Sequence, residues 1–298
     1  VALAREGPTP AAGASAGRSG LLRGSLSFDG ARRLRFEVAE EAGASGDWGL
    51  LWTHGLTSSA QSESEGGWPF AGVPGLADAL PVLRLDARGH GRSDAAEDCT
   101  WAAMGGDLLK ARRVMGRRRV VLGGTSMGAA ASLHAALEDP ASVAGLILAT
   151  PPTCYEQRRK FVPMYRESAE VARSQGLEAA KRAAEGRARP PVFLESERGR
   201  AAFEVGWRAK FEMGVERYCA ALDGAIASDL PPLERLRSLE LPALILAWRT
   251  DAQHPLESAE LLREALPSAE LHVARSWEEI EDFPARMRSF LGRLAAQG

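Results

Sequence analysis

One stretch of the chain has residue types and spacing suited to covalent chemistry. Gly124-Thr125-Ser126-Met127-Gly128 follows an apolar run at 119–123 and precedes an Ala-rich segment at 129–137. A serine hydroxyl attacks a carbonyl carbon when a base takes its proton and donors receive the charge that develops on oxygen. Small residues two before and two after the serine suit a tight strand-to-helix turn, where the backbone folds close to itself. The helix that follows points N–H groups and the positive end of its dipole at the same place. Gly-x-Ser-x-Gly alone is a weak signal. Strand, motif and helix in that order make a strong one, and the chemistry expected is acyl transfer through Ser126.

Such a turn needs a sheet beneath it. Apolar runs recur at 49–53, 82–86, 119–123, 145–149, 243–248 and 270–274, most of them continuous rather than alternating. Continuous runs suit strands covered by helices on both faces. Helical patterns at 101–115 and 127–137 separate several of them. This β–α alternation predicts an α/β fold with a doubly wound, mostly parallel sheet. Runs at 26–28 and 34–38, divided by Asp29-Gly30, predict an opening hairpin. The rhythm stops over 154–239, which is charged and Ala-rich with Pro190-Pro191 and Pro231-Pro232 as punctuation. A helical insertion is expected there, between core segments 25–153 and 240–298. Residues 1–24, rich in Ala, Gly, Ser and Pro at their start, lack a signal-peptide pattern and are expected to form a disordered leader.

Composition narrows the function class. The 298 residues are 45% hydrophobic and 26% charged, with 37 basic and 39 acidic residues for a net charge of −2. That is a globular composition, not a collagen or a disulfide scaffold. The charge gives no footprint for nucleic acid, and no apolar run is long enough to cross a bilayer. Cys99, Cys154 and Cys219 are odd in number and far apart, which suits reduced thiols in a cytoplasmic protein. The basic clusters Arg112-Arg113, Arg117-Arg118-Arg119 and Arg158-Arg159-Lys160 are expected on solvated faces. Gly123-Gly124-Thr125-Ser126 lacks the lysine of a phosphate loop, and no metal or cofactor is expected. The oligomeric state is left open. The expected partner is a small acyl substrate.

With these segments in place, the chain resembles the α/β-hydrolase family. Leu51-Trp52-Thr53-His54-Gly55-Leu56 is similar to the family's strand ending in His-Gly. Leu85-Asp86-Ala87-Arg88-Gly89-His90-Gly91-Arg92-Ser93-Asp94 matches its Asp-x-Arg-Gly-His-Gly-x-Ser loop. Leu244-Ile245-Leu246-Ala247-Trp248-Arg249-Thr250-Asp251 resembles the late strand that delivers the catalytic acid. The resemblance implies an oxyanion hole from the backbone N–H groups of Leu56 and Met127, Asp251 as the carboxylate, and a lid in the helical insertion. It implies a structural or substrate-lining role for His54 and a packing role for His90. It also implies a histidine base on the loop after the last strand, but that loop reads Arg275-Ser276-Trp277-Glu278-Glu279, and no histidine follows His272.

The base must therefore come from elsewhere among five histidines. His134 lies about 12 Å along the helix after Ser126, at roughly 1.5 Å per residue, and is expected in the core or at the surface. His272 falls inside the last strand. His254 follows Asp251 by three residues, on a loop opening at the sheet edge where Ser126 stands. It is the candidate base, with pocket-lining and structural roles still open, and Asp251 either orients it or acts alone. Trp68, Trp101, Trp207, Trp248 and Trp277 are expected in the core or lid, and those near the sheet edge could wall a pocket. Trp277, beside the place of the absent histidine, is expected with His54 among the substrate-binding residues. The function expected is hydrolysis of a small, partly hydrophobic ester, thioester or lactone through an acyl-enzyme. The alternative is a hydrolase-fold protein without hydrolysis, either a ligand-binding protein or a lyase or cyclase using the same pocket.

Overall fold

The computed structural model describes residues 2–6, 20–28, 32–40, 48–65, 68–76, 80–187 and 189–297. Among them nine strands form one sheet in the order β1-β2-β3-β5-β4-β6-β7-β8-β9. The strands are β1 (Ala2–Glu6), β2 (Gly20–Phe28), β3 (Arg32–Glu40), β4 (Trp48–Thr53), β5 (Val82–Leu85), β6 (Arg119–Thr125), β7 (Val143–Ala149), β8 (Ala243–Trp248) and β9 (Ala269–Ala274). The first three pair antiparallel, and β3 runs antiparallel to β5. From β5 through β9 every pairing is parallel. The hairpin at 26–38 is present and longer than its apolar cores. Its Asp29-Gly30 turn lies outside the described residues.

The disordered leader is corrected in part: Ala2–Glu6 forms β1 on β2, with Leu3 opposite Leu26, and β2 begins at Gly20. Backbone ladder bonds to a neighbouring strand, rather than apolar content, make this pairing, so composition gave no hint of it. The intervening residues lie outside those described.

The helices are α1 (Ala60–Glu65), α2 (Trp101–Arg112), α3 (Met127–Glu138), α4 (Tyr155–Gln175), α5 (Leu177–Glu185), α6 (Pro191–Leu194), α7 (Glu197–Glu212), α8 (Val215–Ile226), α9 (Leu233–Leu236), α10 (Leu256–Ala265), α11 (Trp277–Glu281) and α12 (Phe283–Gln297). Both faces of β4 through β8 are covered, which is why these strands read as continuous apolar runs. Leu51, Leu83, Leu122, Leu146 and Ile245 face α2, α3 and α10. Leu50, Val82, Val121, Ile147 and Leu244 face α12 and a 3₁₀ turn at Pro69–Leu76. Alternate residues of one strand thus feed opposite layers. Gly105 lets α2 approach α3, since a Cβ there would stand 3.0 Å from the Ala131 carbonyl.

The segment between β7 and β8 is helical, α4 through α9. Its two ends are tied together. The Tyr155 amide donates to Asp229 Oδ1 at 3.0 Å, and the Tyr155 hydroxyl donates to the Pro231 carbonyl at 2.6 Å. Arg158 corrects the expectation of a solvated basic cluster. It is buried, donates to the carbonyls of Ser228 and Ala225, and stacks 4.1 Å over the Trp101 ring. A guanidinium can be buried when carbonyls and an aromatic face replace its water. No helix among the described residues is long and apolar enough to cross a membrane.

Candidate active site

Strand order reverses about β4. The chain leaves β4 for β5 on one side and for β6, β7, β8 and β9 on the other. In such sheets the crevice beyond the carboxyl ends of the strands, at the switch, receives ligands. Ser126 stands there, directly after β6, with φ 52° and ψ −106°. Its amide donates to the Ala149 carbonyl at the end of β7, 2.8 Å away, and its own carbonyl accepts from Ala130 in the first turn of α3. The flanking glycines have a physical cause. A Cβ on Gly124 or on Gly128 would collide with the same atom, the Thr53 carbonyl oxygen at the end of β4.

The acid and the histidine come from one loop, between β8 and α10. His254 Nδ1 lies 2.8 Å from Asp251 Oδ2, and His254 Nε2 lies 2.9 Å from Ser126 Oγ. The carboxylate can only accept, so Nδ1 carries the proton and Nε2 is left to accept from the serine hydroxyl. Asp251 is fully engaged. Its Oδ2 also accepts from Trp248 Nε1 at 3.0 Å, and Oδ1 accepts the amides of Gln253 at 2.8 Å and His254 at 3.3 Å. Burial pushes this carboxyl up, but the His254 charge and these hydrogen bonds outweigh it and hold it below the ordinary aspartate range. The Thr153 amide, beyond β7, donates to the Gln253 carbonyl and pins the loop from behind.

Leu56 follows β4 and Met127 opens α3. As the first residue of its helix, Met127 has an amide with no acceptor within the helix. Leu56 lines a cavity of about 210 Å³ that also includes Ser126, His254 and Asp251. Its apolar wall is Trp68, Phe193, Phe203, Trp207 and Trp248, and its polar lining includes Thr150, Tyr165, Gln253 and Lys210. A neighbouring polar cavity of about 250 Å³, bounded by Ser58, Gln61, Arg92 and Glu212, includes neither Ser126 nor His254.

Two expected substrate contacts are corrected. His54 is buried, accepts from the Ala87 amide at Nε2 (3.1 Å), and donates from Nδ1 to the Gly55 carbonyl (2.8 Å). Both its nitrogens are thus spent on holding the loops after β4 and β5. Trp277 is also buried and does not line the cavity. It packs its ring 5.6 Å from Phe193, which does. Its strand-end position put it near the site, but its side chain turns into the core.

The remaining histidines stay out of the site. His90 donates to the Arg88 carbonyl, and burial, with the neighbouring His54, brings it down to about 3. His134 donates to the Asp229 carbonyl, and His272 accepts from Arg286. Phe203 and Lys210 on α7, Phe193 on α6, and Glu63 beneath the serine are among the residues that sequence did not single out. Glu63 accepts from Thr125 Oγ1 and Trp52 Nε1 and lies 3.6 Å from Arg84. Nothing in the sequence around 63 marks it.

Comparison with known proteins agrees with the architecture. The sequence profile of the alpha/beta hydrolase family matches residues 50–282. The chain is 27% identical over 239 residues to the protein named carbamate hydrolase RutD of Variovorax paradoxus (strain S110), covering 73% of this chain and 83% of that one. An enol-lactonase structure from Burkholderia xenovorans LB400 superposes with a TM-score of 0.73 at 20% identity, over 90% of this chain and 99% of the other. A thermophilic esterase structure from Thermogutta terrifontis gives 0.72 at 23% identity, over 91% and 97%. A profile match across most of the chain, on a sheet with this order, establishes that the chain belongs to the alpha/beta hydrolase family.

Proposed function

We propose that the protein is a serine hydrolase that cleaves a small, partly hydrophobic carboxylic ester, thioester or lactone through an acyl-enzyme on Ser126. The observation that carries this reading is the unbroken hydrogen-bond line from Asp251 through His254 to Ser126. His254 Nε2 takes the hydroxyl proton as Ser126 Oγ bonds to the acyl carbon. Asp251 keeps the ring in the tautomer that can do so and stabilises the imidazolium that forms. The Leu56 and Met127 amides receive the negative charge on the carbonyl oxygen, an effect of roughly 3–4 kcal/mol for a donor of this kind. His254 returns its proton to the departing alcohol, thiol or ring oxygen. Water, deprotonated at the same nitrogen, then releases the acid and restores the serine.

Three further features support the reading. The apolar cavity wall suits a hydrocarbon portion beside the scissile group. The helical insertion contributes Phe193, Phe203 and Trp207 to that wall, as a lid does. The activities named for the similar proteins, on carbamates, esters and enol-lactones, all break a bond between a carbonyl carbon and a heteroatom.

The test is covalent. A fluorophosphonate probe should add its mass to Ser126 in the folded protein, and Ser126→Ala should abolish the adduct. Folded protein that stays unlabelled would falsify the activated nucleophile and favour a ligand-binding or non-hydrolytic role.

A further inference from the structure

Ser126 and Lys210 line the same cavity. Lys210 also lines a smaller one of about 40 Å³, which shares Pro190, Phe203 and Trp207 with the first and is bordered by Arg187. Among the described residues neither cation has a carboxylate at ion-pair distance. The Lys210 ammonium stands 5.5 Å from the Phe211 ring, and Arg187 donates to Ser168 Oγ at 3.1 Å. Other charged groups nearby hold partners of their own: Arg189 is 2.6 Å from Glu204, Glu63 is 3.6 Å from Arg84, and Asp251 is hydrogen-bonded to His254. Glu185 is the remaining acid on these walls. Lys210 thus holds an ammonium at the aromatic-walled cavity with no carboxylate beside it. Such a charge is costly to hold there unless a counter-charge arrives.

We propose, on the hydrolase reading above, that the substrate is itself an anion: an ester, thioester or lactone carrying a carboxylate away from the scissile carbonyl, which Lys210 binds with Arg187 behind it. A single ammonium at the cavity matches a carboxylate better than a doubly charged phosphate. Charged hydrogen bonding of this kind orients the substrate as well as holding it, because the apolar wall fixes the chain between the two ends. A neutral analogue leaves the ammonium unpaired and is rejected.

Binding tests this apart from turnover. Ser126→Ala protein is titrated with monomethyl adipate and with dimethyl adipate, following tryptophan fluorescence, since Trp68, Trp207 and Trp248 line the cavity. The anionic ester should bind about tenfold tighter or more, as a charge-assisted contact provides. The preference should vanish when Lys210→Met is added and persist with Lys210→Arg. Burial, reinforced by Arg187, brings Lys210 down to about 8, so the preference should fade as pH rises through that value. Equal binding of the two esters, a preference that survives Lys210→Met, or inorganic phosphate competing as well as the anionic ester overturns the proposal. Wild-type turnover of the same esters is read separately. An anion preference in binding without ester cleavage or Ser126 labelling would remove the hydrolase reading and leave the anion site standing.

Discussion

Ser126 holds a backbone conformation that its side chain does not favour. A positive φ costs an L-residue about 1–2 kcal/mol relative to glycine, and the turn imposes φ 52° there. Ser126→Gly should therefore be more stable than Ser126→Ala by about 1 kcal/mol in urea unfolding, since both lose the hydroxyl and only one keeps a Cβ. Equal stabilities would mean that the turn is unstrained. The proton path is separable from that strain. His254→Ala should lower kcat by several powers of ten with the circular dichroism unchanged, and near-normal turnover would remove His254 from the mechanism. Asp251→Asn should cost on the order of 10³–10⁴ in kcat by favouring the wrong tautomer. Asp251 is held below its ordinary range, so its stabilising contribution is present above that range and lost as pH falls through the lowered value. Acid titration should destabilise wild type relative to Asp251→Asn in that window. At this scale Ser126 and the Asp251–His254 pair were legible in the sequence, because motif and spacing reach that far. For His54 and Trp277 the structural reading held and the substrate-binding one did not, because position along the chain does not tell which way a side chain turns.

The elements bring strain and chemistry to one edge. Of the five non-glycine residues with positive φ among those described, Thr57, Ser126, Thr150 and Thr250 follow β4, β6, β7 and β8. Backbone held in sparsely populated regions at a shared strand end is what a preorganised site requires. The Thr53 carbonyl fixes how closely β4 and α3 approach, so Gly128→Ala should cost about 1–3 kcal/mol or more by overpacking. It should also displace Ser126, lowering fluorophosphonate labelling more than urea stability alone explains. Unchanged stability and labelling would show that the junction is loose. Strands covered on both faces were legible as apolar runs, and the Ala-rich segment as the helix that follows the serine turn. Strand β1 was not, since its pairing rests on backbone hydrogen bonds. Arg158 was not either, because its acceptors are carbonyls some 70 residues away.

Across the whole molecule the apolar residues fall into separate groups. Two cover the faces of the sheet, and a third, smaller one lies within the insertion, joining Ala169, Ala172, Ala184, Phe211, Tyr218 and Leu222. A small core supports less cooperative stability. Amides of α5 and α7 should exchange with solvent through openings well short of global unfolding, while those of β6 and β7 should wait for it. Uniform protection in native-state hydrogen exchange would show the insertion to be part of one cooperative unit. The wall that α7 provides was hidden in the sequence, because a helical pattern gives a face but not its destination.

The shared loop of acid and base has one more consequence. On the proposed mechanism every group in proton transfer or charge stabilisation lies between Leu56 and His254, and the last strand and final helices contribute buried surface but no reacting atom. The polypeptide is thus divisible into a part that does the chemistry and a part that completes the sheet. Severed in the loop that precedes β9 and supplied as two fragments, it should regain activity on reassembly, with every reacting group carried by the first.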